Sequence, residues 1–251
     1  MLSHERQREV LRQLRLHGGG NVRELAAAVG VSPSTIRRDL TEMGEQGLLR
    51  RVHGGASLPD ELEITPTARQ LEQSAEKRRI GLAATALVED RSTVLITGGT
   101  TTEAMLPHLQ GREGLTVITN GLNVAVQLSR LPEVTVVVLG GILRHAEMSL
   151  LGGLAESAVQ EFEVDLAFTG TYGIDPSVGL TGASVHEAST DRRLLQRARS
   201  IVVLADSSKF TRRGPVRLAG VDQLSTVITD TDAPPPAVAA LRDAGVEVRQ
   251  V

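Results

Sequence analysis

The 251-residue chain contains no cysteine and no tryptophan, and its aromatic residues are one tyrosine and three phenylalanines. The lack of cysteine excludes a disulfide framework, a thiol nucleophile and a cysteine-ligated metal site. All the aromatic residues lie between positions 162 and 210. Proteins that bind single-stranded nucleic acid stack bases on surface aromatic rings, so this composition argues against that function.

Long apolar runs and a secretion signal are also missing. No stretch approaches the ~18 consecutive apolar residues of a membrane-spanning helix, and the segment from Met1 to Arg8 has no apolar core of the signal-peptide kind. We therefore expect a cytoplasmic protein with no membrane partner, and nothing in the sequence indicates a metal or a cofactor. Hydrophobic residues make up 41% of the chain, which is enough for a core and argues against disorder.

Lysine is scarce, because the 27 basic residues include only Lys77 and Lys209, and the net charge is −3. That charge is divided unevenly. Residues 1–57 contain nine arginines and six acidic residues, a net charge of +3, and the remaining residues carry 18 basic and 24 acidic groups, a net charge of −6. A basic segment on an acidic body suggests that the N-terminal part alone contacts nucleic acid.

The N-terminal segment predicts a helix-turn-helix. A first helix runs to about Leu16, a second begins after Asn21 and ends at Gly30, and a third begins at Ser32 followed by proline. Only Val31 separates Gly30 from the cap of the third helix. Two helices joined by a tight glycine-containing turn are typical of a unit whose second helix enters the major groove of DNA.

Polar side chains of the third helix and of a following wing are the candidate DNA contacts. Residues 48–52 predict a short strand and Gly54-Gly55 a turn. The predicted DNA-binding residues carry hydroxyl or basic groups: Ser32, Ser34, Thr35, Arg37, Arg38, Arg50, Arg51 and His53. The alternative for Arg37 and Arg38 is a solvated face paired with Asp39 or Glu42, and the alternative for His53 is a loop residue with no role.

Residues 58–75 form a predicted polar linker, and the body from residue 76 to 251 alternates strands with helices. Apolar runs predict strands at 93–97, 115–119, 134–139, 164–169, 201–205, 225–229 and 246–250. Helical segments lie between most of them, at 101–110, 121–130, 152–162, 184–199 and 235–244. This alternation indicates an α/β domain with a mostly parallel sheet, in which ligands bind beyond the carboxyl ends of the strands.

Glycines and hydroxyls follow several predicted strands, and Gly98 to Thr102 is typical of a phosphate-binding turn. It matches neither a Walker loop nor a GxGxxG fingerprint. Lys209, one of two lysines in an arginine-rich chain, follows the fifth strand. The predicted effector-binding residues are Gly98, Gly99, Thr100, Thr101, Thr102, Asn120, Gly140, Gly141, Gly170 and Lys209. The alternative is ordinary turn chemistry in each loop and chance survival of the lysine.

Several runs match a known family: Glu24-Leu25-Ala26, Val31-Ser32, Thr35-Ile36-Arg37-Arg38-Asp39-Leu40 and Arg51-Val52-His53-Gly54-Gly55-Ala56. They resemble the DNA-binding domain of the DeoR family of bacterial transcriptional regulators. In the body, Gly99-Thr100-Thr101, Glu187-Ala188 and Leu204-Ala205-Asp206-Ser207-Ser208-Lys209-Phe210 are similar to the DeoR sensor domain. The resemblance implies a winged helix-turn-helix at 1–57 and, at 76–251, a sensor of phosphorylated sugars with a fold like ribose-5-phosphate isomerase and coenzyme A transferases.

Two positions depart from the family pattern. The family usually has aspartate two residues before Gly99-Thr100-Thr101, where this chain has Thr97, and a basic residue shortly after Glu187-Ala188, where this chain has Asp191. The first change removes a carboxylate that would accept hydrogen bonds from sugar hydroxyls. Both changes bear on which ligand the domain takes.

The expected function is a repressor of a carbohydrate catabolic operon, relieved by a phosphorylated sugar or related metabolite. Its partners would be double-stranded operator DNA and further copies of itself, since two half-sites require two DNA-binding domains. One alternative is a sugar-phosphate isomerase or acyl transferase on the same fold, using Asp206 and Lys209. Another is a constitutive DNA-bound protein whose sensor has lost its ligand.

Overall fold

The computed structural model describes residues 3–45, 48–52, 54–57, 72–145 and 147–251. The chain divides into two compact units, Met1–Glu72 and Gln73–Val251. Residues 58–71 of the predicted linker and the candidate DNA contact His53 lie outside the described residues. Within the described ranges, no helix is both long enough and apolar enough to cross a membrane.

The first unit contains three helices and a small antiparallel sheet. Its helices are α1 (Ser3–His17), α2 (Val22–Val29) and α3 (Pro33–Glu45), and its strands are β1 (Gly19–Asn21), β2 (Arg50–Val52) and β3 (Gly55–Ser57), in the order β1-β3-β2. The predicted helix-turn-helix and wing are therefore confirmed. Two of the glycines that follow α1, Gly19 and Gly20, belong to β1. In β3, which pairs with β1, position 55 admits only glycine, because a side-chain Cβ would lie 2.2 Å from the carbonyl oxygen of Gly20.

Local chemistry explains where α2 begins and ends. The Asn21 side chain accepts hydrogen bonds from the backbone amides of Arg23 and Glu24, and the Glu24 side chain accepts one from the Asn21 amide. Gly30 then ends the helix with a φ of 73°, a conformation that costs glycine little. Apolar side chains of all three helices meet in one core that includes Val10, Leu11, Leu14, Leu25, Ile36, Leu40 and Met43.

The second unit is built on seven parallel strands, as predicted. They are β4 (Thr93–Ile96), β5 (Thr116–Thr119), β6 (Thr135–Val138), β9 (Val164–Thr169), β12 (Ala198–Leu204), β14 (Leu224–Thr229) and β15 (Glu247–Gln250). The helices are α4 (Ser74–Thr85), α5 (Thr100–Glu103), α6 (Leu122–Leu128), α7 (Gly153–Ala158), α8 (Val185–Leu195) and α9 (Pro235–Asp243). Two large groups of buried apolar side chains pack with the sheet, one including Leu95 and Ile118, the other Val94 and Val117.

The strand order creates a topological switch point between β4 and β9. The sheet order is β15-β14-β12-β9-β4-β5-β6, so the chain runs from β4 to one edge and then returns to β9 to reach the other. Connections leave these two neighbouring strands in opposite directions. A crevice opens at the carboxyl ends of such strands and is the usual ligand site of open α/β sheets.

Some elements differ from expectation. The helix predicted at 101–110 is wrong in extent, since only Thr100–Glu103 is α-helical and a 3-10 turn follows at Leu106–His108. The hairpin of β7 (Ile142–Arg144) and β8 (Ser149–Leu151) was not predicted. Nor was the antiparallel sheet of β10 (Gly173–Asp175), β11 (Gly179–Gly182) and β13 (Val216–Ala219). These strands have three or four residues, too few for an alternating pattern to be recognised.

Candidate DNA-binding surface and effector site

Three hydroxyl side chains cluster at the start of α3. The Oγ of Ser32 accepts a hydrogen bond from the backbone amide of Thr35 at 3.1 Å, so Ser32 caps the helix as predicted. The same oxygen lies 2.8 Å from the Oγ of Ser34 and 2.8 Å from the Oγ1 of Thr35. These groups lie at the exposed end of the helix and form one small network of donors and acceptors.

The two arginines that follow lie on the outer face of α3. Arg37 and Arg38 are exposed, whereas Ile36 and Leu40 are buried in the core. The apolar side of the amphipathic helix therefore fixes the arginines outward. We call Ser32, Ser34, Thr35, Arg37 and Arg38 together the α3 surface.

The wing is joined to α3 by a side-chain hydrogen bond. Arg51 of β2 donates from Nη1 to the Oγ1 of Thr41 at 3.2 Å, and that hydroxyl donates to the carbonyl of Arg37 at 2.9 Å. Arg50, next to it, is exposed. The structure thus places two predicted basic residues of the wing beside the helix that carries the α3 surface.

Asp39 has a different partner from the one considered in the sequence. Its carboxylate accepts hydrogen bonds from Nε and Nη2 of Arg6, at 2.6 and 2.9 Å, and its exposed fraction is only 3%. Hydrogen bonding to Asp39 raises the pKa of Arg6. The pair joins α1 to α3 across 33 positions, a separation at which local spacing predicts no contact.

Hydroxyl groups of β4 and β9 meet at the switch point. The hydroxyl of Thr97 donates to the Oγ1 of Thr169 at 3.2 Å, and Thr169 donates to the carbonyl of Gly170 at 2.9 Å. Gly98 and Gly99 follow Thr97. We call these five residues the switch crevice. Thr169 was not predicted as a site residue, because only the strand order reveals that it adjoins Thr97.

Asn120, after β5, contains a buried acceptor without a partner. Its exposed fraction is 2%, and its Nδ2 donates to the carbonyl of Leu150 at 3.3 Å. Its Oδ1 is buried and has no hydrogen-bond partner among the described residues. Because an unsatisfied buried acceptor costs about 1–3 kcal/mol, such an atom is typical of a site that a ligand or a water completes.

The loop of Asn120 touches the switch crevice. A Cβ on Gly121 would lie 2.9 Å from the Cα of Gly98, so these two backbones approach at a distance that excludes larger residues. The hairpin of β7 and β8 lies against the same loop, since the Leu150 amide donates to the Asn120 carbonyl at 2.8 Å. Backbone groups from three segments therefore surround Asn120.

Two of the predicted threonines are buried, and one of them bonds within the loop. Thr101 and Thr102 are buried, and the hydroxyl of Thr102 lies 2.8 Å from the carbonyl oxygens of both Thr97 and Gly99. Thr100, at the start of α5, is partly exposed. With only four residues, α5 supplies little of the helix dipole on which a phosphate-binding turn relies. The loop can still present backbone amides at Gly98 and Gly99.

Gly140 and Gly141 lie beside the hairpin. A Cβ on Gly141 would lie 2.6 Å from the carbonyl oxygen of Leu151, and Gly140 is exposed next to Leu154. Close backbone packing explains the glycine at 141 without a ligand.

Two buried carboxylates hold the turn that carries Lys209. Asp206 follows β12 and accepts a hydrogen bond from the Ser208 amide at 3.1 Å. Asp230, after β14, accepts from the Ser207 amide at 2.6 Å. Lys209 is partly buried, and its amide donates to the Asp206 carbonyl at 2.9 Å. Asp230 was missed in the sequence because its role depends on the neighbouring strand. The other lysine, Lys77, is buried in α4.

A cluster of charges joins the hairpin to α8. Arg144 of β7 pairs with Glu187 of α8, and Glu147 lies 3.8 Å from the Arg144 guanidinium. Burial raises the pKa of Asp191 to about 7, an effect that Arg144 opposes and Glu147 reinforces. Asp191, which departs from the family pattern, is thus placed against a basic group from another segment.

Comparison with known proteins agrees with these two units. The model of the DeoR-like helix-turn-helix domain matches residues 6–61, and that of the DeoR C terminal sensor domain matches residues 72–231. Among similar solved structures are ribose 5-phosphate isomerase A from Methanocaldococcus jannaschii (19% identity, 55% of each chain, TM-score 0.42) and the probable sor operon regulator from Shigella flexneri (13% identity, 68% of this chain and 89% of that one, TM-score 0.43).

Similar curated proteins are named as repressors. The glycerol-3-phosphate regulon repressor of Escherichia coli K12 is 34% identical over 94% of this chain and 93% of its own. The putative aga operon transcriptional repressor of Escherichia coli O157:H7 is 33% identical over 97% and 92%, and the repressor CsqR of strain K12 is 32% identical over 99% and 95%. The chain belongs to the DeoR family and is a DNA-binding transcriptional regulator, not an enzyme.

Proposed function

We propose that this regulator represses a carbohydrate-related operon and is released when a phosphorylated sugar or related metabolite binds at the switch crevice. The observation that carries this proposal is the buried Oδ1 of Asn120, which lies beside a glycine-rich loop at the switch point and has no partner among the residues that the structure describes. A ligand hydroxyl would satisfy that acceptor, and the amides at Gly98 and Gly99 suit an anion. The repressor names of similar proteins support the same direction of control.

On the DNA side, the α3 surface contacts the major groove, and Arg50, Arg51 and His53 contact backbone phosphates. The exposure of Arg37 and Arg38 and the link from Arg51 to Thr41 support this arrangement. Basic side chains of α3 and of the wing beside it then bind the operator DNA electrostatically. Because its target is bacterial operator DNA, the protein acts in the cytoplasm.

The working form is a homo-oligomer in which copies meet at the edge strand β6. The amides of Thr135 and Leu139 donate toward β5, so the backbone groups of Val136 and Val138 face the open edge. No residue of β6 is charged, whereas the opposite edge strand β15 contains an ion pair between Glu247 and Arg249.

Such an uncharged edge can pair with a second copy of itself without like-charge repulsion. Ile142 and Leu154, close in sequence after β6, are 77% and 71% exposed and extend the apolar surface. Val138→Lys should therefore shift the sedimentation coefficient toward the monomer. Leu82→Lys, at an exposed apolar residue of α4, should not. An unchanged oligomer in Val138→Lys would contradict the proposed interface.

Effector binding is tested by thermal shift with a panel that includes glycerol 3-phosphate and ribose 5-phosphate. At least one compound should stabilise the wild type and weaken its binding to DNA, and Asn120→Ala should lose that response. The matched control is Asn123→Ala, since the Asn123 amide donates to Glu103 instead. Equal stabilisation of Asn120→Ala and the wild type would contradict the proposed site.

A further inference from the structure

The flank of α3 that faces α1 forms a concavity of about 500 Å³. Its lining residues are Arg6, Ser34, Thr35, Arg38, Asp39 and Glu42. Three of these belong to the α3 surface, but Arg6 comes from α1 and was not among the predicted DNA contacts. The concavity therefore brings a basic residue of a different helix to the side of the proposed DNA-reading helix.

In the Arg6–Asp39 pair, some N–H groups of the guanidinium do not point at Asp39. The two hydrogen bonds use Nε and one N–H of Nη2. A guanidinium has five N–H groups in one plane, so both N–H groups of Nη1 and the second one of Nη2 point away from Asp39. A second anion can approach that side while the pair with Asp39 remains intact.

Asp39 also fixes where those donors are. The Arg6 side chain is 16% exposed and the Asp39 side chain 4% exposed, so the ion pair is held between the two helices with one side reaching solvent. A bidentate pair restricts the orientation of a guanidinium more than a single contact does. Arg6 is thus oriented before DNA arrives.

We propose that Arg6 binds a DNA backbone phosphate on the α1 side of α3, with Asp39 as its positioning residue. The hydroxyls of Ser34 and Thr35 and the guanidinium of Arg38 line the same concavity and can donate to the same strand. Glu42 is a negative group of the lining that also interacts with the charge of Arg6, and it disfavours a phosphate close to itself. The proposal rests on α3 being the DNA-reading helix.

Salt dependence distinguishes a phosphate contact from a structural brace. The affinity of the full-length protein for a fluorescent duplex of mixed sequence is measured by anisotropy over a series of salt concentrations, since phosphate contacts do not require the operator. Arg6→Gln should reduce the slope of log affinity against log salt by about 0.9, the value for one phosphate. Arg12→Gln, in which an exposed arginine paired with Glu9 is lost from the same helix, should leave the slope unchanged.

Because Arg6→Gln leaves Asp39 without its partner, the first unit of that variant can fail to fold. The double variant Arg6→Gln/Asp39→Asn removes both charges, and it is compared with Asp39→Asn alone. The double variant should still have a slope lower by about 0.9, and Arg6→Lys should keep the wild-type slope. Equal slopes in the double variant and Asp39→Asn would overturn the phosphate contact. If Arg38→Gln lowers the slope while those two remain equal, α3 still reads DNA and only the role of Arg6 fails; if Arg38→Gln has no effect either, the proposed use of α3 fails as well.

Discussion

At the start of α3, the polar side chains are exposed and bond to one another, as Ser32 does with Ser34 and Thr35. At the carboxyl ends of the sheet, polar groups are buried, and Asn120 keeps an acceptor with no partner in the described structure. The hydroxyl groups of the α3 surface bond to one another without DNA, so the stability of the fold should not depend on bound DNA. If a ligand completes the second site as proposed, it should stabilise the fold as it binds.

The largest expected effect is on DNA affinity. Arg37→Ala/Arg38→Ala removes two exposed guanidinium groups that make no contribution to the core, so binding to duplex DNA should weaken by about 1–3 kcal/mol for each residue. The melting temperature should stay within a degree or two of the wild type. Anisotropy and thermal unfolding measure the two quantities. A large loss of stability would break the contrast, because it would make the α3 surface part of the fold.

A smaller effect, on the free energy of unfolding, is expected at Asp191, and it depends on pH. The unfolded carboxyl titrates at its ordinary pKa of 3.8 and the folded one at about 7, so the folded state binds more protons between these values. The free energy of unfolding should then fall as the pH rises from about 4 to about 7 and change little above that. Asp191→Asn should remove this fall and be more stable than the wild type at pH 8, by up to about 4 kcal/mol, since each unit of the pKa shift corresponds to about 1.4 kcal/mol.

The control for Asp191 is an aspartate with the opposite shift. Hydrogen bonds from Ser177 lower the pKa of Asp175, so Asp175→Asn should be less stable than the wild type at pH 8. Urea unfolding over a pH series tests both variants. A pH profile of Asp191→Asn that matches the wild type would contradict the prediction that Asp191 causes this pH dependence.

The smallest effect sharpens the contrast at the switch crevice. Asn120→Ala removes an unsatisfied acceptor together with one long hydrogen bond of 3.3 Å to the Leu150 carbonyl. These contributions oppose each other, so without effector the free energy of unfolding should change by less than about 1 kcal/mol. A loss of several kcal/mol would mean that Asn120 is a structural residue, and the case for a ligand at its Oδ1 would weaken.

The sequence could predict the elements whose signals are local. Ser32-Pro33 and Gly30 mark the turn between α2 and α3 with single residues, and the apolar runs of the seven parallel strands are long enough to recognise. Both units therefore follow from capping residues and periodicity.

The sequence could not predict the contacts made across the fold. Arg6 meets Asp39, and Thr97 meets Thr169, only because helices and strands distant in sequence become neighbours. The unpaired acceptor of Asn120 likewise depends on a hairpin whose strands have three residues each. Candidate residues within one loop can be proposed from the sequence, and contacts that join distant elements cannot.

The turn between α2 and α3 has a mechanical consequence. The amides of both Gly30 and Val31 donate to the carbonyl of Ala26, at 2.9 and 3.0 Å, and the third helix starts directly afterwards. Only three residues, Gly30 to Ser32, separate the two helices, and two of them are tied to α2 by these bonds. If the second unit controls DNA binding as proposed, α2 and α3 move together, so the effector changes how the first unit meets the operator and not the packing of α2 on α3.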